Sequence, residues 1–300
     1  MKLALHTVSY AGAWPGQARL ELPEVIRRAA KLGFAGVEIV AKRPHLSVLD
    51  ATPAALDELR GVLAETGLEA PCLAGYTNLT AGADHADIPL VEMQIAYVTE
   101  LARLAQALGG KYLRLFTAYE DPLLSPAQTR ERVVTTLREC ARRAADFGCT
   151  LAIQNHHDFA CDYRTLRDVL AEIGAENCRA AFDAWAPALQ GTDLREAARA
   201  MAPVTVWTTC ADYVLRPRFR YQPALVNYEA LTPTTQAVPM GEGMIDYAAF
   251  LGGLREGGYD GWVAYEMCSA LDGGGSLETL DRFARRFVEY MEMTDFDRTD

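Results

Sequence analysis

Residues 144–155 read AADFGCTLAIQN: the end of an amphipathic helix, a glycine, and a short apolar run that closes on a polar side chain. The same order returns as AAKLGFAGVEIV at 29–40, AQALGGKYLRLF at 105–116 and REGGYDGWVAYE at 255–266. Glycine at the junction suits the left-handed residue that ends a helix before the chain re-enters a sheet. Helix and strand alternate throughout, which predicts an α/β fold on a parallel sheet.

Working outward, apolar strand candidates fall at Leu3–His6, Gly36–Val40, Leu68–Ala74, Tyr112–Phe116, Thr150–Gln154, Arg179–Asp183, Val204–Thr209 and Gly261–Glu266. Eight such strands with helices between them predict a closed (β/α)8 TIM barrel. The competitor, a doubly wound open sheet, usually carries a Gly-rich phosphate turn after its first strand, and HTVSYAGAWPG at 6–16 has no G-x-G-x-x-G. Helix starts are marked at Thr52-Pro53 and Ser125-Pro126, where a side-chain oxygen precedes a proline suited to the first helical position. From Pro126 to Phe147, Val133, Val134, Leu137, Ala141, Ala144 and Ala145 recur at helical spacing, an apolar stripe that should pack on the sheet.

A chain of 300 residues, half of them hydrophobic, suits one barrel domain spanning 1–300. No low-complexity run or charge block divides it, and a long loop is expected over 212–243 after the seventh strand. The formal net charge of -11 would repel a phosphate backbone, so nucleic acid is not an expected partner. The opening MKLALHTVSY is too short an apolar stretch for a secretory or membrane-spanning segment, which points to a cytoplasmic protein without a membrane partner. Seven cysteines stand singly with no C-x-x-C pair, as reduced thiols do; Cys210 and Cys268, at strand ends, are the two placed to do more.

The chemistry should sit where apolar strands end on polar groups. Three of the last four strands do so, as LAI-Gln154, AAF-Asp183 and VAY-Glu266. Burying such a group costs several kcal/mol unless it is paired, and barrel enzymes place their reactive groups at this edge. Each residue alone reads equally as a helix cap or loop anchor. All three at equivalent places in successive units favour one shared site, where neighbouring strands about 4.8 Å apart let side chains surround a small cation. Oxygen donors suit Mg2+ or Mn2+, with Zn2+ if a histidine joins.

The segments LAIQNHHDF (151–159), AAFDAW (180–185), TVWTTCADY (205–213) and VPMGEGMIDYAAFLGGLREGGYDGWVAYE (238–266) resemble the fifth to eighth strand regions of the sugar isomerase/epimerase family of xylose-isomerase-like barrels. The resemblance covers nearly the whole chain as a fold and is sharp from Leu151 onward. It implies one divalent metal, with Asp183 and Glu266 as ligands. Where the family places a Glu on strand five this chain has Gln154, and in place of the strand-seven His it has Thr209, three residues before Asp212. Gln154 can still ligate through its carbonyl oxygen, but an amide cannot take up a proton as the family's Glu does.

His156 and His157 follow at once, either of them able to bind metal or act as a base; the family pattern also carries the first. His6, ending strand one, reads as a satisfied core histidine or a substrate contact. Glu38 resembles a family position that meets substrate or a neighbouring Arg, and a buried salt bridge to Arg114 is an equal reading. In RPRFRYQP at 216–223, Arg218 and its neighbours can close over a sugar or form a homo-oligomer contact. The run Asp272-Gly273-Gly274-Gly275-Ser276 is an anion cradle or a flexible turn. His45 and His85 have no partner in view.

Together these readings predict a divalent-metal-dependent isomerase or epimerase of a sugar or other polyhydroxy carbonyl compound, working through an enediolate with Glu266 or His156 moving the proton. The alternatives are a lyase or dehydratase acting on a keto-sugar or keto-glycoside, and a metal-free sugar-binding protein on the same fold. Abasic-site nucleases share the barrel but need several metals held by many histidines, against five scattered here.

Overall fold

Each barrel strand is short and buried on both faces, which is what a sheet wrapped by helices requires. In the computed structural model, which describes residues 1–85, 87–156, 159–267 and 269–296, the strands in chain order are β1 (Lys2–His6), β2 (Gly36–Val40), β3 (Glu69–Ala74), β4 (Tyr112–Leu115), β5 (Thr150–Gln154), β6 (Cys178–Ala181), β7 (Thr205–Cys210), β8 (Asp212–Gln222), β9 (Asn227–Val238) and β10 (Trp262–Tyr265). Eight of them close a parallel barrel in the order β1-β2-β3-β4-β5-β6-β7-β10, while β8 and β9 form a separate antiparallel pair. The predicted TIM barrel is the fold observed.

The helices are α1 (Leu22–Lys31), α2 (Pro53–Thr66), α3 (Leu90–Ala107), α4 (Pro126–Ala145), α5 (Tyr163–Ile173), α6 (Trp185–Leu189), α7 (Leu194–Met201), α8 (Tyr247–Glu256) and α9 (Leu277–Phe296). Their starts follow local chemistry. Thr52 accepts from Ala55 N at the head of α2, and Ser125 and Gln128 cap α4 reciprocally. The α4 stripe buries Val133, Val134, Leu137, Ala141 and Ala144 as expected, but Cys140 completes it and Ala145 faces solvent. Among the described residues, no helix is long and apolar enough to cross a membrane.

Inside the barrel, Trp207 and Trp262 stack with ring centroids 6.2 Å apart amid Ala4, Cys72, Ala152, Ala181 and Ala264. Small residues on β1, β3, β5, β6 and the upper part of β10 make room for the indoles of Trp207 on β7 and Trp262 at the start of β10, so the lower barrel is filled rather than hollow. The two-residue period of a strand then directs Glu38 and Arg114 to the same interior level with Cys72 and Ala152, and His6, Gln154, Thr209 and Glu266 one interior step above Ala4, Ala152, Trp207 and Ala264 on their own strands. This is why the polar groups gather at the upper mouth.

The segment 212–243, read as a loop, is instead mostly the β8–β9 hairpin. Proline cannot donate to a ladder, and the run holds Pro217, Pro223 and Pro233, which breaks the alternation that marks strands. The hairpin tolerates them because its register shifts between Arg216 and Arg218, so Pro217 and Pro233 fall where the pairing is already interrupted, and Pro223 lies in the turn. Its root is anchored by Asp212, whose carboxylate accepts from the backbone N–H groups of Tyr213 (2.9 Å), Gly241 (3.0 Å), Gly243 (2.9 Å) and Ile245 (3.4 Å). Gly243 is obligatory there, since a Cβ would sit 1.9 Å from Asp212 Oδ1.

His45 does have partners. Val40 N–H donates to Thr7 Oγ1 (2.9 Å), leaving the Thr7 hydroxyl to donate to His45 Nδ1 (2.9 Å) while Nε2–H donates to Leu20 O (3.2 Å). Burial lowers the His45 pKa, so the folded chain holds the ring neutral. As pH falls below the unfolded value of about 6.5, the unfolded chain binds a proton first; the contribution of His45 is therefore complete above that pH and lost on acidification. His45→Gln is expected to cost about 1 kcal/mol near neutral pH, with the gap to wild type narrowing towards about pH 5.5 in urea denaturation. A gap that holds constant or widens would contradict this relay.

Candidate active site at the mouth of the barrel

Gln154 is the last residue of β5, and its side chain is buried. Its Nε2 donates to Asp183 Oδ2 at 2.7 Å, while its Oε1 is buried without a hydrogen-bond partner. Asp183 lies two residues past β6, because the chain leaves the ladder after Phe182, whose N–H still reaches Trp207 O (3.0 Å). Asn155 holds it there. Asp183 N–H donates to Asn155 Oδ1 (2.8 Å) and Asn155 Nδ2 donates back to Asp183 O (3.0 Å), a reciprocal clamp that the sequence reading did not assign. The carboxylate also accepts from Trp185 N–H through Oδ1 (3.2 Å).

Burial pushes the Asp183 carboxyl up to about 7; the Gln154 hydrogen bond opposes this and the nearby Glu266 charge adds to it. Glu266 directly follows β10, its N–H donating to Cys210 O (3.0 Å), and its side chain remains 15% exposed. Thr209, in β7, buries an Oγ1 with no hydrogen-bond partner. His156 rests its ring against Phe116, with centroids 4.4 Å apart.

Gln154, His156, Asp183, Thr209 and Glu266 line one cavity of about 250 Å³. Trp185 and Tyr213, with ring centroids 4.1 Å apart, and Tyr247 supply its aromatic wall, and Thr235 joins from the hairpin root. A larger cavity of about 590 Å³ opens beside Glu120, Asp121 and Phe159, but it holds none of the buried carboxylates. The smaller one is therefore the candidate seat of chemistry. Trp185, two residues past Asp183 in AAFDAW, was visible in the sequence; Tyr213 and Thr235 needed the hairpin to be known.

The other sequence candidates lie elsewhere. Glu38 and Arg114 form a fully buried pair (3.4 Å) beneath the cavity, and Glu38 Oε2 also accepts from Trp207 Nε1 (3.0 Å). Burial raises Glu38 to about 7 despite the Arg114 charge. For Arg114 burial pulls the other way, but Glu266 and Glu38 prevail and keep it cationic. His6 is buried, with Nδ1 3.1 Å from Val8 N and Nε2 2.8 Å from Arg114 Nη2; the neutral ring has one N–H, so only one of these nitrogens can accept, and burial and the Arg114 charge drive its pKa well down. It touches the site from below, 3.7 Å from Glu266 Oε1. Arg218 is out on the exposed hairpin and does not line the cavity. Cys210 is buried, with its thiol pushed up by burial, which makes it a poor nucleophile. His157 and Cys268 lie outside the described residues.

Among the described residues, no three His, Cys, Asp or Glu side chains converge as metal ligands. What the cavity does offer is two carboxylates and two neutral oxygens, Gln154 Oε1 and Thr209 Oγ1, buried without partners. Hard oxygen donors with a double negative charge fit a divalent cation such as Mg2+ or Mn2+. An orphaned acceptor beside a carboxylate is what a cation would satisfy.

Comparison with known proteins agrees with the architecture. A family model described as xylose isomerase-like TIM barrel matches residues 26–286. Among solved structures, D-allulose 3-epimerase from Methylomonas sp. superposes with a TM-score of 0.74 at 16% identity over 98% of each chain. The probable 3-DHS dehydratase AsbF from Bacillus anthracis gives 0.72 at 17%, over 97% of this chain and 99% of that one. The IOLI protein with a bound zinc atom gives 0.72 at 16%, over 96% and 97%. Identities this low speak to the fold. No characterised protein matches the sequence itself.

Proposed function

The chain belongs to the xylose isomerase-like TIM barrel family, and from that premise we propose that it is a divalent-metal-assisted isomerase or epimerase of a sugar or other polyhydroxy carbonyl compound. The observation that carries this reading is the meeting of Asp183, Glu266 and the unpartnered Gln154 Oε1 around one small polar cavity with aromatic walls. Asp183, Glu266 and Gln154 are the residues that would hold the ion. Bound there, it would polarise a carbonyl and spread the negative charge of an enediolate.

The protein's own groups do the rest. Glu266, partly exposed to the cavity, takes the proton from the carbon beside the substrate carbonyl, and His156 is the group available to return one. The Gln154 amide and the Asn155 clamp hold Asp183 in one orientation before substrate arrives, so no reorganisation is needed at that point. Trp185 and Tyr213 offer apolar faces to a sugar ring and exclude water. The D-allulose 3-epimerase fold likeness supports a ketose as substrate class.

The replacement of a proton-accepting Glu by Gln154 favours a second reading, a lyase or dehydratase on a keto-sugar, because elimination can use one base and one acid of different kinds. The dehydratase named above is of the same fold.

Proton NMR of a ketose panel in D2O distinguishes them. Isomerase or epimerase action is expected to place solvent deuterium on one carbon as a second sugar accumulates, with loss on chelation and recovery with Mn2+. Elimination would instead yield an unsaturated carbonyl absorbing in the ultraviolet. No exchange with any sugar, together with no divalent ion retained after Mn2+ repletion, would overturn both enzyme readings.

A further inference from the structure

We propose that the β8–β9 hairpin docks on a second copy of this chain, entering the cavity beside Glu120 and Asp121 of that copy. The hairpin has two unlike faces. Phe219 stands opposite Ala230 and Tyr221 opposite Tyr228, while Arg220 opposes Glu229 and Arg218 opposes Leu231. With the two-residue period of a strand, one face carries Phe219, Tyr221, Tyr228 and Ala230, and the other carries the charges.

Both faces are open to solvent from Leu215 to Tyr221. Phe219 is 62% exposed, Tyr228 68% and Tyr221 49%. A two-stranded ribbon is marginal in water by itself, and an aromatic face this open on a ribbon calls for a cover.

The cavity of about 590 Å³ supplies the complement. It lies at the rim between β4 and α4, closed on one side by Phe159, and its walls are Pro122, Leu124 and Pro126 with Glu120 and Asp121. Among the described residues neither acid has a basic partner, and no carboxylate lies within ion-pair distance of Arg218. Between Tyr213 and Val238 the hairpin holds three arginines and one glutamate, on a chain whose net charge is -11. A basic aromatic finger and an acidic apolar pocket on one molecule are the two halves of a reciprocal contact.

Symmetry permits both halves to be used at once. Hairpin and cavity both rise from the C-terminal ends of barrel strands, β7 for one and β4 for the other, on well-separated sectors of the rim. A two-fold axis between facing mouths lets each hairpin reach the other copy, and eleven residues of β8 span about 37 Å. Three partly exposed aromatics per hairpin, each able to bury on the order of 100 Å², reach with the pockets they enter roughly the 1,200 Å² at the lower edge of stable interfaces. In that arrangement each cavity mouth is bordered by the other copy's hairpin.

Sedimentation equilibrium of the full chain across the micromolar range tests this. The expected result is a dimer whose dissociation constant rises about 30-fold or more with Phe219→Glu, as for a buried aromatic anchor. Arg218→Glu and Glu120→Arg should each weaken it, and combining them in one chain should restore much of the loss. All three positions are on the surface, so far-UV circular dichroism should be unchanged. Should a variant misfold, hydrogen exchange of the wild type decides: protection of 119–124 must rise with protein concentration. A monomer throughout the range, a dimer indifferent to Phe219→Glu and Arg218→Glu, or no concentration-dependent protection would overturn the proposal.

Discussion

Glu266→Gln is expected to slow the reaction by about 10²–10⁴-fold while leaving the fold intact, the loss typical of removing a positioned acid or base. The substitution keeps the backbone bond from Glu266 N–H to Cys210 O and the side-chain shape; it removes the capacity to take up a proton and one negative charge beside the proposed cation, so the variant is compared with wild type at saturating Mn2+. The drop should fall in kcat with KM little changed, because proton removal stabilises the transition state and not the bound ground state. The measurement is the deuterium-exchange rate of whichever ketose the NMR panel identifies, at saturating concentration. Asp183→Asn makes a useful companion: it keeps the Gln154 contact but withdraws a carboxylate from the proposed cation, so it should lower retained metal as well. If Glu266→Gln turns over at close to the wild-type rate, the proton is moved by another group and the assignment of Glu266 fails.

The second large effect is on stability. Glu38→Ala should cost about 3–5 kcal/mol, since it strands the Arg114 guanidinium in the barrel interior and leaves Trp207 Nε1 without its acceptor. Glu38→Gln should cost less, because the amide oxygen still accepts from Trp207. Replacing both partners, Glu38→Leu with Arg114→Leu, should recover much of the loss, as apolar pairs often do in place of a buried ion pair. Urea denaturation gives all three values. A loss below about 1 kcal/mol for Glu38→Ala would mean that water reaches this pair and that the layer beneath the cavity is not sealed.

These two predictions divide the polar interior by role. Glu266 opens to the cavity, whereas Glu38, Arg114 and His6 lie under it and fix the geometry from below. The sequence marked Glu266 and His6 as polar groups ending apolar strands, and Glu38 by its resemblance to a family position, with Arg114 as its salt-bridge partner; a polar group at such a place must find a partner. Whether the partner is another side chain or a ligand is a question of height in the barrel. Glu38 sits one register step below the strand ends and meets Arg114 and Trp207, while Glu266 lies just past the end of β10 and meets the cavity.

Asn155 and the hairpin show where sequence reasoning stops. Asn155 follows Gln154 and has no signature of its own; its importance comes from a loop beginning 28 residues later that returns to it, as the contact to Asp183 shows. The hairpin was obscured by Pro217 and Pro233, which deny the alternation by which strands are recognised, and it survives because both fall at the shift in register. Two of the residues lining the cavity, Tyr213 and Thr235, could not be assigned to the site without it.

The sequence by itself pointed to the barrel, because eight apolar strands alternating with helices, four of them entered through a glycine, are local patterns, and no phosphate-binding glycine turn follows the first strand. It also marked the polar residues that end the strands, since an apolar run closing on a polar group is a local pattern as well. Only the tertiary structure decided which of those residues meet one another, which are sealed beneath the cavity and which reach it. Those outcomes depend on distances between residues that lie far apart in the chain, set by register and packing around the whole ring of strands.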